Sequence, residues 1–192
     1  GAIVCRVAPT FVRFGNFQIF MARQDSENLK KLTDYTIRSF YPHLGEPNKE
    51  IYIEFFREVC ERTLDLMIHW ERVGFVHGVM NTDNMSISGL TIDYGPYGWL
   101  EDYDPGWTPN TTDAAHRRYR FGNQASIGVW NLMQLGNALY PLIEDAAPLE
   151  EILENYQINY LPKRVRMMSD KLGLKTLAET NFILELEKLM YQ

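Results

Sequence analysis

The sequence predicts an α-rich α+β fold with one short β insertion near its middle. Three observations carry this. Apolar residues recur at steps of three and four through 49–73, helical spacing returns from residue 127 onward, and strand-like triplets with turn residues lie between the two blocks. The 192 residues are 45% apolar, 13% aromatic and 23% charged, an ordinary globular composition. That excludes disordered and low-complexity classes and leaves about one domain of chain.

Residues 1–23 hold apolar and β-branched runs, Ala2 to Val7 and Phe17 to Met21, broken by Pro9 and Gly15. They read as short extended elements. Ser26-Glu-Asn begins a helix, with Leu29, Leu32, Ile37 and Phe40 near helical spacing and Pro42 and Gly45 stopping it. The strongest helix is 49–73, where Tyr52, Phe56, Val59, Thr63, Leu66, Met67 and Trp70 form the stripe and Gly74 closes it. Met85-Ser-Ile and Leu90-Thr-Ile flank Ser88-Gly89, the pattern of a small hairpin with a glycine turn. Residues 96–124 follow without periodicity, rich in Pro, Gly, Asp, Tyr and Trp; a loop of that length in a compact domain usually carries function. Helices are predicted over 127–139, 149–158, 160–173 and 181–191, separated by Pro141, Pro148, Leu161-Pro162 and Gly173. Trp130, Met133 and Leu135, with Gly128 and Gly136, read as core.

Charge narrows the function classes. Nineteen Lys and Arg stand against 25 Asp and Glu, a net charge of −6. An acidic domain has no electrostatic footprint for nucleic acid. No apolar run approaches the ~18 residues that a membrane span needs. Cys5 and Cys60 form no zinc, CxxC or disulfide-framework pattern.

The densest polar cluster is His77-Gly-Val-Met-Asn-Thr-Asp83-Asn84, followed by the hairpin and then Asp93-Tyr-Gly95. A hairpin of that length brings its two ends side by side, so the Asn84 amide oxygen and the Asp93 carboxylate converge on one hard cation. Two such ligands plus substrate phosphates is how Mg²⁺ is normally held. Asp83 adds a carboxylate placed to accept a proton. Each residue alone is an ordinary turn former; the set with this spacing is not. His77 to Asn84 has the length of the protein-kinase loop H-R-D-x-x-x-x-N, and Asp93-Tyr94-Gly95 stands where D-F-G would follow. The position of the kinase catalytic aspartate is Val79, which takes no proton, so a kinase mechanism does not carry over.

The string from His77 to Gly98, together with Arg6-Val-Ala-Pro-Thr-Phe-Val-Arg-Phe-Gly15 and Arg118-Tyr-Arg-Phe-Gly-Asn-Gln124, closely resembles the selenoprotein O family, called YdiU in bacteria. The resemblance runs from the first residue to about Leu174. It implies a protein-kinase-like fold, present here mostly as its C-lobe, with the small hairpin carrying the metal site. Residues 1–25 then correspond to the end of the N-lobe and its connection, and 26–192 to the helical C-lobe with its catalytic loop at 77–95. The implied activity is transfer of AMP from ATP to Ser, Thr or Tyr hydroxyls of target proteins; UMP transfer with Mn²⁺ is the family variant. By match, Asp83 is the proton acceptor, Asn84 and Asp93 ligate Mg²⁺ (or Mn²⁺), Asp93 also meets the nucleotide, and Arg6 and Arg13 bind phosphate. Guanidinium forks suit phosphate oxygens. Arg6 and Arg13 lie seven apart, so a bend must separate them, and Pro9 supplies one. His77 is expected to be a structural member of the loop.

The resemblance also defines what is missing. The family's glycine-rich loop and its Lys–Glu pair precede the motif that opens this chain, and the C-terminal selenocysteine of some members is absent. The chain is therefore expected to begin inside a site and to be a poor catalyst alone. The family implies a cytoplasmic location in a bacterium and a mitochondrial one in a eukaryote. Two other readings compete. Val79 would fit a non-catalytic nucleotide-binding scaffold, although a scaffold needs none of Asp83, Asn84 and Asp93. Aromatics interleaved with Glu101, Asp102 and Asp104 over 94–107 would fit a glycoside hydrolase with paired carboxylates. An EF-hand reading fails for want of Gly and Glu at the required loop positions. Arg117, Arg118 and Arg120 read as solvated or salt-bridging, and His43, His69 and His116 have no ligand-like spacing.

Overall fold

The structure is a computed structural model that describes residue 3, residues 5–113 and residues 115–191. Six α-helices and a two-stranded antiparallel sheet stand in it, among the described residues: α1 (Phe14–Ala22), α2 (Ser26–Phe40), α3 (Lys49–Val73), β1 (Phe75–Val76), β2 (Gly98–Trp99), α4 (Gln124–Ile143), α5 (Ala147–Lys171) and α6 (Thr180–Met190). The α-rich α+β expectation holds. No helix is long and apolar enough to cross a membrane, among the described residues.

α3 organises the core, packing on α4 and α5, while α1 packs on α4 and α2. Its ends are set by local chemistry. The Asn48 side chain accepts from the Ile51 N–H at 3.0 Å, and Gly74 closes the helix at φ 67°, a conformation glycine adopts without steric cost. Its predicted stripe is buried from Tyr52 to Trp70, with Leu66 partly so. Phe55 and Phe56 are fully buried, each contributing on the order of 1.5–3 kcal/mol by removal from water. Gly136 of α4 lets that helix close on the Phe56 ring, since a β-carbon there would stand 3.1 Å from Cζ.

Several expectations need correction. Phe17 to Met21 is helical, not extended: α1 buries Phe14 and Phe17, and Asn16 Oδ1 accepts from the Arg13 N–H at 2.9 Å to hold its first turn. Of the predicted Ala2–Val7 run, Ala2 and Val4 lie outside the described residues, and residues 5–8 join no strand. The hairpin shrinks to a single antiparallel bridge, Met85 with Thr91, about Gly89 at φ 64°; the sheet pairs Phe75 with Trp99 and Val76 with Gly98 instead. Leu161-Pro162 does not divide two helices. α5 runs through it, because Pro162 and Ile158, whose carbonyl loses its partner, both face solvent and water can satisfy that carbonyl. On either side of the proline the Tyr160 hydroxyl donates to Glu71 at 2.6 Å and Arg164 Nε to Glu71 at 3.0 Å, tying α5 to α3. Likewise α4 continues through Pro141 to Ile143. Finally, Trp130 and Met133 are 39% and 40% exposed rather than core. The buried face of α4 is Ile127, Asn131, Leu132, Leu135 and Leu139, and the Arg118 guanidinium covers the outward Trp130 ring at 4.7 Å.

Candidate active site

β1 delivers the chain from the end of α3 straight into His77. The loop then crosses the face of α4, tightens into a 3-10 turn at Thr82–Asn84, passes the Met85–Thr91 bridge and leaves through Asp93 towards β2. His77 is 1% exposed and acts as a strap. Its Nε2 lies 2.8 Å from the Ile92 carbonyl and its Nδ1 3.4 Å from the Val79 N–H, which fits an Nε2-protonated neutral ring. Burial pushes its pKa down, against the opposing pull of the Ile92 carbonyl. A neutral ring with both nitrogens engaged orients the loop and has no free valence for proton transfer.

Three buried carboxamides, not anticipated from the sequence, hold the same loop from behind. The Gln124 carboxamide donates to the Phe75 carbonyl at 2.9 Å and accepts from the His77 N–H at 3.0 Å. Asn110 donates to the Gly78 carbonyl at 2.9 Å, and Asn131 to the Met80 carbonyl at 2.9 Å. Side chains thus take the place a neighbouring strand would occupy. One signal was available: Gln124 and Asn131 are amides seven apart on the apolar face of one helix, where a polar residue needs a partner.

The predicted site residues gather at the mouth of this loop. Asn84 ends the 3-10 turn that leads into the Met85–Thr91 bridge, and Asp93 follows that bridge two residues beyond Thr91. The Asn84 amide nitrogen donates to the Val79 carbonyl at 2.8 Å, and its oxygen accepts no hydrogen bond among the described residues. Asp93 stands at φ 52°, a left-handed conformation that costs a non-glycine residue strain and that clusters at functional sites. Arg13 Nη2 lies 2.7 Å from Asp93 Oδ2, yet that oxygen and Arg13 Nε are both buried without a well-aligned hydrogen bond. Arg6 arrives at the same edge after the chain bends at Pro9, its Nε donating to the Thr91 carbonyl at 3.0 Å and one terminal nitrogen to the Val7 carbonyl at 2.7 Å. Asp83 sits against the first turn of α1, its carboxylate filling the space where Gly15 has no side chain.

These residues fit a divalent cation shared with a polyphosphate. Among the described residues no three His, Cys, Asp or Glu side chains form a protein-only cage. The Asn84 amide oxygen and the Asp93 carboxylate, here paired with Arg13, could instead offer two hard ligands, the number a Mg²⁺ completed by phosphate and water takes. Val79 lends the loop its backbone, and its side chain, beside Gly95, carries no acid–base group. Within the aromatic stretch, Trp99, Glu101, Asp102, Asp104 and Trp107 line an open cleft of about 410 Å³. Arg117 bonds to the Gly106 carbonyl at 3.4 Å and Arg120 to the Arg117 carbonyl at 3.1 Å.

Comparison with known proteins shows what this chain is similar to. Over 182 residues the chain is 56% identical to a protein of Flavobacterium johnsoniae named "Protein nucleotidyltransferase YdiU", covering 94% of this chain and 35% of that protein. A protein of the same name from Rhodopirellula baltica is 59% identical over 179 residues, covering 91% of this chain and 33% of that one, and one from Aromatoleum aromaticum is 56% identical over 179 residues, covering 93% and 34%. All three relatives carry the name of a protein nucleotidyltransferase. The family model described as "Protein adenylyltransferase SelO" matches residues 1–191, and the chain belongs to that family. It spans about a third of the length of the curated relatives it matches.

Proposed function

We propose that the protein carrying this chain transfers AMP from ATP to a Ser, Thr or Tyr hydroxyl of a target protein. The observation that supports this most directly is the single edge at which Arg13 meets Asp93, Asn84 keeps a free amide oxygen and Asp83 rests on α1. In this reading it supplies a base, two oxygen ligands and a guanidinium at one edge of the fold.

In this reading the Asp83 carboxylate takes the proton of the acceptor hydroxyl. The hydroxyl oxygen bonds to the α-phosphorus as the α–β phosphoanhydride breaks, and pyrophosphate departs with the electron pair. Mg²⁺, or Mn²⁺, held by Asn84 and Asp93 would supply charge neutralisation at the phosphates. Arg6 and Arg13 keep guanidinium N–H groups beyond those spent on Thr91, Val7 and Asp93, and these meet the charge that develops on the α-phosphate and pyrophosphate. His77 and the three carboxamides keep the loop in one conformation, so little reorganisation is left for the reaction to drive. Bacterial relatives accord with a cytoplasmic setting for this chemistry.

The test uses the full-length protein with ATP labelled at either the α or the γ phosphate. Label on target protein from the α position alone is expected; label from the γ position alone would reject AMP transfer. Asp93→Ala is expected to lower the rate by at least about 10²–10³-fold, the scale for losing one preorganised transition-state contact. Undiminished transfer by that variant would remove Asp93 from the site.

A further inference from the structure

We infer that Gly15 is the positioning residue for the Asp83 carboxylate, an inference that rests on the proton-acceptor reading of Asp83. A β-carbon built on Gly15 would stand 2.0 Å from Asp83 Oδ1, 3.1 Å from its Cγ and 3.4 Å from its Cα. Two of these three atoms belong to a side chain that can rotate, and the backbone contact is an ordinary van der Waals distance. An alanine at 15 is therefore accommodated by swinging the carboxylate away, with helix and loop left where they are. The space of one missing methyl group is the seat of the carboxylate.

The helix and the loop cannot slide to relieve the contact, because α1 grips the loop on both sides of Asp83. The Phe14 N–H donates to the Met85 carbonyl at 3.0 Å, and the Thr82 hydroxyl donates to the Gln18 side chain at 2.5 Å. Arg13 bridges Ser86 and pairs with Asp93 at 2.7 Å. The Asp83 N–H is itself bonded to the Asn81 side chain at 3.1 Å. The first turns of α1 thus gauge both acids of the site, Asp93 through a charge and Asp83 through an absent side chain. Glycine is a poorer helix former than alanine, so helix stability alone argues against it here; the need to seat a carboxylate argues for it. A general base must reach its proton within hydrogen-bond distance, and misplacement by about 1 Å can cost on the order of 10²-fold in rate.

The experiment is a cycle of Gly15→Ala, Asp83→Ala and the double variant in the full-length protein, read as kcat and KM for transfer from α-labelled ATP, with thermal midpoints beside them. Gly15→Ala is expected to lower kcat by roughly 10–100-fold, with KM for ATP unchanged and the thermal midpoint not lowered. On the Asp83→Ala background, where the clash is gone, the same substitution is expected to change nothing. An unchanged kcat, a fallen midpoint, or an equal loss of rate on both backgrounds overturns the inference. A crystal structure of Gly15→Ala decides independently of activity. The carboxylate should be displaced by more than about 1 Å, and one found in its original place overturns the inference even if the wild-type protein proves to transfer no AMP.

Discussion

A carboxamide that satisfies two backbone groups at once has no close substitute among the other side chains. Gln124 meets the Phe75 carbonyl and the His77 N–H with one planar group, 1% exposed, at the point where the chain leaves β1. Gln124→Leu keeps the bulk and strands both backbone groups away from water. Each unsatisfied group costs about 1–3 kcal/mol, so the variant is expected to lose at least about 2 kcal/mol, measured as a lowered urea midpoint. A Gln124→Leu protein with the parental midpoint would mean that water reaches these groups. The same residues explain what could be read in advance. Asp83, Asn84 and Asp93 are close in sequence, and their spacing is what leads the sequence reading to a shared site. Gln124, Asn110 and Asn131 act on residues 47, 32 and 51 positions away, and no local pattern carries that information.

Element boundaries were legible where two faces differ and obscure where they do not. α3 alternates a buried stripe with charged residues over 25 positions, so its period stands out, and Asn48 and Gly74 mark its ends in the sequence itself. The Phe17–Met21 segment of α1 is apolar apart from Gln18, and so short a run does not distinguish a helix from a buried strand. Pro162 misleads for another reason: a missing N–H is a strong stop signal, but its cost depends on whether water reaches the carbonyl left behind. Here Ile158 is 65% exposed and the flanking bonds from Tyr160 and Arg164 to Glu71 keep α5 on α3. Pro162→Ala restores the N–H on an exposed face and removes no core contact. It is expected to stabilise by about 1–3 kcal/mol, within the ~3 kcal/mol difference between the two residues in helix interiors. Calorimetry reads this as a raised midpoint. A lowered midpoint would show that the packing of α5 depends on the geometry the proline imposes.

At the scale of the molecule, the site and the bundle are braced at the same end of α3. Its C-terminus feeds β1 and the loop, and its last turns are tied to α5 and α6 by one charged cluster. Arg164 lies between Glu71 and Glu187, with the three side chains only 15%, 11% and 13% exposed, and the Tyr160 hydroxyl donates to Glu71. Burial raises the Glu71 pKa, opposed by the Tyr160 hydroxyl and the Arg164 charge. Arg164→Leu removes the only cation in this group and leaves two buried carboxylates facing one another, a loss expected to cost about 3–5 kcal/mol at pH 8. The pH dependence of that loss has a definite sign. A carboxyl whose folded pKa lies above its unfolded value of 4.5 binds more protons folded than unfolded between the two, so its contribution to stability falls as pH rises through that window. Without Arg164 the Glu71 pKa climbs further and the window widens upward. The stability difference between wild type and Arg164→Leu should therefore be largest near pH 8 and shrink steadily towards pH 5, as Glu71 takes up its proton in the variant first. Groups that titrate alike in both proteins cancel in that difference. Chemical denaturation across this range measures it, and a gap that stays constant with pH would mean that Glu71 gains no proton when its cation is lost.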